Sequence, residues 1–174
     1  MNNENYYFFW SGECSQWYIS EFEEFGERFN CAEQFMMAAK AKVFGDDLTY
    51  RLIMETQMPN EQKALGRKVY GFVPEVWEKF AKDFVTLGNY NKFTQDHNLA
   101  MFLTENKNKF FVEASPYDKI WGIGLREDDP LVNDPKNWQG KNWLGECINR
   151  ARDIIAENRT EEIETLREQL NWNK

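Results

Sequence analysis

The chain has 174 residues, a formal net charge of −8, and 42% hydrophobic and 16% aromatic side chains. That length suits one folded unit with a real core, and fourteen Phe with seven Trp exclude a disordered chain. The acidic balance excludes a broad electrostatic footprint on nucleic acid, so an anionic ligand must find a local cluster of donors.

Three widely spaced cysteines, Cys14, Cys31 and Cys147, form no C-x-x-C pair and read as reduced thiols. No apolar run is long enough to span a bilayer and no basic segment leads into a hydrophobic one, so a soluble, cytoplasmic protein with no membrane partner is expected. The single histidine, His97, excludes a His-rich zinc site and a His-based triad, and it is assigned no role. No metal and no cofactor is expected, and any chemistry falls to carboxylates, lysines or backbone groups. The surplus of large flat side chains suggests aromatic pocket walls.

In chain order, residues 6–10 are aromatic and predict a short strand, and residues 11–30 predict an ordered loop. Asn30 is expected to cap the first clear helix, with Glu33 completing a capping-box-like pattern. That helix runs through Phe35, Met36, Met37, Ala38, Ala39 and Val43 to Gly45, and its nearly all-round apolar character marks a central, buried element. Residues 46–55 and 60–65 predict two further helices. Pro74 suits a first turn, Val76, Trp77, Phe80, Phe84 and Leu87 form a stripe, and Gly88 is expected to end that helix. Residues 93–103 predict another. Phe110, Phe111 and Val112 read as a buried strand, residues 121–140 as a long loop of the kind that carries function, and Leu144, Cys147, Ile148, Ala151 and Ile155 as a long helix. A last amphipathic helix begins near Thr160 with Ile163, Leu166 and Leu170 as its stripe. The expected fold class is mainly α, with about seven helices and a few short strands.

Several residues carry chemistry. Glu33 and Lys40 lie seven positions apart and so project from nearly the same side of the buried helix, two turns apart. Burying a charge is costly unless it is paired, so the two read either as a structural ion pair or cap, or as a carboxylate and amine tuned for proton transfer and nucleophilic attack. Asp118 and Trp121 fall at a strand-to-loop transition within Tyr117-Asp118-Lys119-Ile120-Trp121-Gly122, although a turn Asp beside a core Trp explains them equally. Gly140-Lys141-Asn142 precedes the long helix and resembles a phosphate seat built from free N–H groups, a flexible glycine and a lysine. Gly66-Arg67 and Trp77 suit either a pocket or ordinary packing.

Taken in order, Phe9-Trp10, Ser15-Gln16-Trp17, the run from Asn30-Cys31-Ala32-Glu33 to Ala39-Lys40, Gly66-Arg67, Trp77, the 117–122 motif and Gly140-Lys141-Asn142-Trp143-Leu144-Gly145 resemble the NADAR family of YbiA-like N-glycosidases. The resemblance covers residues 6–155. It implies a YbiA-like, mainly helical single domain over 1–174, with a core at 6–155 and a C-terminal helix at 160–172. It also implies hydrolysis of N-glycosidic bonds in phosphoribosyl or ADP-ribosyl compounds. Family substrates include ribosylaminopyrimidine phosphates of early riboflavin synthesis and ADP-ribosylated guanine, including guanine in nucleic acid. The matched catalytic glutamate is Glu33 and the reactive lysine Lys40, with Asp118 as a second carboxylate or ribose ligand. Trp10, Trp17, Arg67, Trp77, Trp121, Gly122, Gly140, Lys141 and Asn142 would bind substrate. The sequence departs from YbiA-like members in its N-terminal loop and in an acidic insert at 127–138, both expected near the pocket.

Two routes fit these residues: attack of Lys40 on ribose C1 through a Schiff base with Glu33 moving protons, or direct hydrolysis between Glu33 and Asp118. The rival reading is a non-catalytic module that binds ADP-ribose or NAD-derived nucleotides. A blander one is an interaction protein that docks a partner on the Ile163/Leu166/Leu170 stripe.

Overall fold

A computed structural model describes residues 5–173. Its elements are β1 (Tyr6–Phe9), β2 (Ile19–Glu24), β3 (Glu27–Cys31), α1 (Ala32–Val43), α2 (Asp47–Glu55), α3 (Pro59–Gly66), α4 (Pro74–Gln95), α5 (His97–Glu105), β4 (Phe110–Glu113), α6 (Trp143–Ala156) and α7 (Thr160–Leu170). The fold is mainly α, with seven helices and four short strands among the described residues. No helix among them is long and apolar enough to cross a membrane.

Helix α1 is the hub, in contact with α2, α3, α4 and β3. Its Phe35, Ala38, Ala39 and Ala41 are fully buried, which is why the segment is apolar around its whole circumference. The cap differs from expectation. Cys31 is the N-cap, its Sγ accepting from the Gln34 N–H at 3.4 Å, while the Gln34 side chain reaches back to the Asn30 N–H at 2.7 Å. Glu33 is thereby free of capping duty.

Residues 11–30 are not wholly loop: β2 and β3 form an antiparallel hairpin. Along β2 burial alternates, with Ser20, Phe22 and Glu24 inward and Ile19, Glu21 and Glu23 outward. Phe25 and Gly26 make the turn with φ of 54° and 77°, the doubly positive geometry that suits a two-residue hairpin. Strand β1 pairs in parallel with β4, Phe9 opposite Glu113, which brings the 10–18 loop beside the end of β4.

Gly88 does not end α4, which continues to Gln95. A Cβ at Gly88 would stand 2.7 Å from the Phe35 ring, so the glycine lets α4 close on α1. The chain breaks instead at Asp96, whose carboxylate caps α5 by accepting from the Asn98 and Leu99 N–H groups. Ile163, Leu166 and Leu170 are buried on their own domain, so the stripe of α7 is occupied by internal packing. Arg167 fastens that helix to Glu24 at 2.9 Å, and Trp172 packs near Phe25, Phe35 and Phe84.

Candidate active site

A cavity of about 670 Å³ opens between α1, α3, the 10–18 loop and the segment after β4. Of the residues singled out in sequence, Glu33, Lys40, Asp118, Trp10, Trp17, Arg67, Trp77 and Trp121 line it. Gln16, Lys63, Phe72, Glu113, Ser115 and Tyr117 join them. Three carboxylates and three cations therefore face one space.

The carboxylates come from three elements. Glu33 lies in the first turn of α1 and is 4% exposed. Burial pushes its carboxyl up to about 7, with Asp118 adding repulsion and Lys63, Arg67 and Lys40 pulling the other way. Glu113 closes β4, and burial together with Asp118 and Glu33 pushes it up to about 8 against the pull of Lys63. Asp118 is both a turn residue and a cavity residue: its Oδ1 accepts from the Ile120 and Trp121 N–H groups at 2.9 and 2.8 Å.

The cations come from α1 and α3. Lys40, half-buried two turns after Glu33, has its Nζ 3.9 Å from the Phe72 ring centroid. Desolvation lowers its ammonium below the ordinary lysine range, opposed by Glu33 and reinforced by Arg67. Lys63 and Arg67 lie four residues apart at the end of α3 and so share a helix face. The Lys63 ammonium stands 5.9 Å from the Trp17 ring. Trp10, Trp17 and Tyr117 are exposed at the rim, and Trp10 meets Tyr117 at 5.8 Å.

Helix α4 pins the loop that forms the near wall. The fully buried Lys92 donates to the Ser15 carbonyl at 2.8 Å, and Asn89 donates to the Gln16 side chain at 2.9 Å. The Glu33 N–H completes the attachment by donating to the Gln16 carbonyl at 2.9 Å. Desolvation pushes the Lys92 ammonium down to about 8.

Gly122, Gly140, Lys141 and Asn142 do not line the cavity, which corrects the expected phosphate seat. The N–H groups of Lys141, Asn142, Trp143 and Leu144 are all taken, by the carbonyls of Lys119, Gly122, Ile120 and Trp121. The Lys141 ammonium lies over the Trp143 ring at 4.9 Å. The turn is a clamp. Buried Asn142 sits in the left-handed region at φ 54°, donates to the Phe111 carbonyl at 3.1 Å, and accepts from the Glu113 N–H at 2.9 Å. Gly140 is required because a Cβ would meet Lys119 Cα at 2.8 Å and the Gly122 carbonyl more closely still. Gly122 is similarly enclosed, since a Cβ there would stand 3.0 Å from both the Asp118 and the Glu113 carbonyl. The 140–142 turn thus holds Asp118, Trp121 and Glu113 in place from outside the cavity, which only Leu144 of the 140–145 motif lines.

Sequence reasoning missed Glu113, Lys63 and Gln16. Glu113 follows the Phe-Phe-Val strand with nothing in the sequence to set it apart, whereas Lys63 carried a readable signal, a cation four residues before Arg67. Of the two segments that depart from the family pattern, the N-terminal loop walls the cavity. The start of the acidic insert instead borders a separate depression of about 420 Å³, with Arg126, Glu127 and Asp128 against Gly12 and Glu13. All three cysteines are buried and unpaired.

The chain is similar to known proteins in sequence and in fold. The chain is 47% identical over 145 residues to N-glycosidase R617 of Acanthamoeba polyphaga mimivirus, covering 80% of this chain and 85% of that protein. It is 37% identical over 146 residues to Protein irg-1 of Caenorhabditis elegans, covering 82% and 68% respectively. The fold matches the NMR structure of Escherichia coli YbiA with a TM-score of 0.73 at 21% identity, over 92% of this chain and 90% of that one. Residues 7–156 match the NADAR domain, and the chain belongs to the NADAR family.

Proposed function

We propose that this protein is a hydrolase of N-glycosyl bonds that cleaves between a phosphorylated ribose, as ribose 5-phosphate or ADP-ribose, and an exocyclic amine. The observation that carries the reading is the joint presence of a buried, near-neutral glutamate and a half-desolvated lysine on one wall of a single cavity. A relative matching four fifths of the chain is named as an N-glycosidase, which supports the same bond type.

Glycosylamines differ from ordinary glycosides because C1 can pass through an imine. Neutral Lys40 attacks C1, its surplus proton passes to Glu33, and the amine takes up a proton at nitrogen and departs neutral. The resulting lysine adduct opens to a Schiff base, water adds to it, and Lys40 leaves with the free sugar released. The half-desolvated setting favours the neutral amine that attack requires. Asp118 serves the ribose hydroxyls, and Trp77 and Trp121 wall the sugar. With the turn at 140–142 engaged elsewhere, the phosphate goes to Lys63 and Arg67. Ribosylaminopyrimidine phosphates and ADP-ribosylated guanine both satisfy this pattern.

Wild type and Glu33→Ala assayed side by side on a ribosylaminopyrimidine phosphate and on guanine-linked ADP-ribose test the reading. Release of phosphorylated sugar from at least one substrate, abolished in Glu33→Ala, supports it. Tight ADP-ribose binding with no release from either favours the non-catalytic module. Borohydride with substrate should trap an adduct on Lys40, and full activity in Lys40→Ala would remove the imine route.

A further inference from the structure

Glu113 is the one carboxylate of the cavity that no sequence motif and no step above employs. It lines the same space as Glu33 and Asp118. Its backbone is fixed at both ends: the N–H donates to Asn142 Oδ1 at 2.9 Å, and the carbonyl accepts from the Ile123 N–H at 2.9 Å. Its Oε2 is enclosed, and among the described residues no group partners it. A carboxylate in that position would hold charge against an unsatisfied, desolvated oxygen, so the protonated form is favoured.

We infer that Glu113 is the general acid of this site and gives its proton to the amine nitrogen as that nitrogen leaves ribose C1. The inference rests on the hydrolase reading and adds a residue and a role to it. Two carboxyls in unlike surroundings divide acid from base work. Glu33 faces Lys63, Arg67 and Lys40, which favour its ionised form, against Asp118 alone, whereas Glu113 faces both Asp118 and Glu33 with only Lys63 in opposition.

The step balances on either route. The C1–N bond breaks with its electron pair remaining on nitrogen, which takes the Glu113 proton and departs as a neutral amine. The nucleophile, Lys40 or water, forms its bond to C1 and releases a proton to Glu33. Solvent exchange then returns Glu33 to its carboxylate and Glu113 to its acid, and the sum is one water consumed.

The test compares wild type, Glu113→Gln and Glu113→Asp on ribose 5-phosphate joined to aniline and joined to 4-nitroaniline, with the uncatalysed rate subtracted. Loss of a general acid costs about a hundredfold or more where the leaving group depends on protonation. Glu113→Gln should show that loss with aniline and a much smaller one with 4-nitroaniline, whose departing nitrogen is far less basic. Glu113→Asp should recover part of the aniline rate. The ratio between substrates is insensitive to a fall in the amount of folded enzyme. Equal loss on both substrates would overturn the assignment while leaving the hydrolase intact. No release by wild type would refute the hydrolase reading and the acid with it.

Discussion

Replacing Glu33 with Gln should stabilise the protein while abolishing its activity, and the gain should depend on pH. The carboxyl is 4% exposed and is pushed from 4.5 up to about 7, chiefly by desolvation. In the unfolded chain it ionises near the ordinary 4.5, so between about pH 4.5 and 7 the folded state holds a proton that the unfolded state has lost. Stability therefore falls as pH rises through that window and levels off above it. At ~1.4 kcal/mol per pH unit the full cost is about 3 kcal/mol, reached near pH 8, and at pH 5 it is below about 1 kcal/mol. A neutral amide of the same shape escapes this cost. Urea unfolding of wild type and Glu33→Gln at pH 5 and pH 8.5 measures it. The expected gain is about 3 kcal/mol at pH 8.5, roughly 6–12 °C in Tm for a domain of this size, shrinking by most of its value at pH 5. A gain that does not change with pH, or a loss at pH 8.5, would refute the desolvation argument.

The pH profile of kcat/KM should be a bell with its maximum between about 7 and 8, measured from pH 5 to 10. It rises as Glu33 ionises through about 7 and falls as Glu113 loses its proton through about 8, and Glu113→Gln should remove the alkaline limb. Lys63→Met should raise KM for a phosphorylated substrate about tenfold, read by steady-state kinetics. It should also move the acidic limb upward, because Lys63 is the strongest influence holding Glu33 down. Gly140→Ala should cost about 1–3 kcal/mol in thermal unfolding, because the added methyl meets Lys119 and Gly122 backbone. An unchanged Tm there would show that the clamp is loose.

The sequence made the helices legible because their apolar faces recur at helical spacing, and the spacing of Glu33 and Lys40 put both on one wall of the cavity. What it hid depended on partners distant in the chain. Gly88 is a stop signal by local rules, yet the ring of Phe35, more than fifty residues earlier, turns it into a packing site. The β2–β3 hairpin was hidden because exposed Glu21 and Glu23 and the short alternation around Phe22 read as polar loop. Gly140-Lys141-Asn142 has the composition of an anion seat, and only the carbonyls of residues 119–122 reveal that its donors are spent on a clamp. Glu113 escaped because a lone acid after a strand is an everyday surface feature until the fold encloses it.

A structure of the protein soaked with ribose 5-phosphate tests the central claim most directly. The sugar is expected in the cavity with C1 within ~3.5 Å of Lys40 Nζ or a Glu33 carboxylate oxygen, and the phosphate against Lys63 and Arg67. A sugar phosphate bound with C1 directed away from both groups, or bound at another surface, would contradict it.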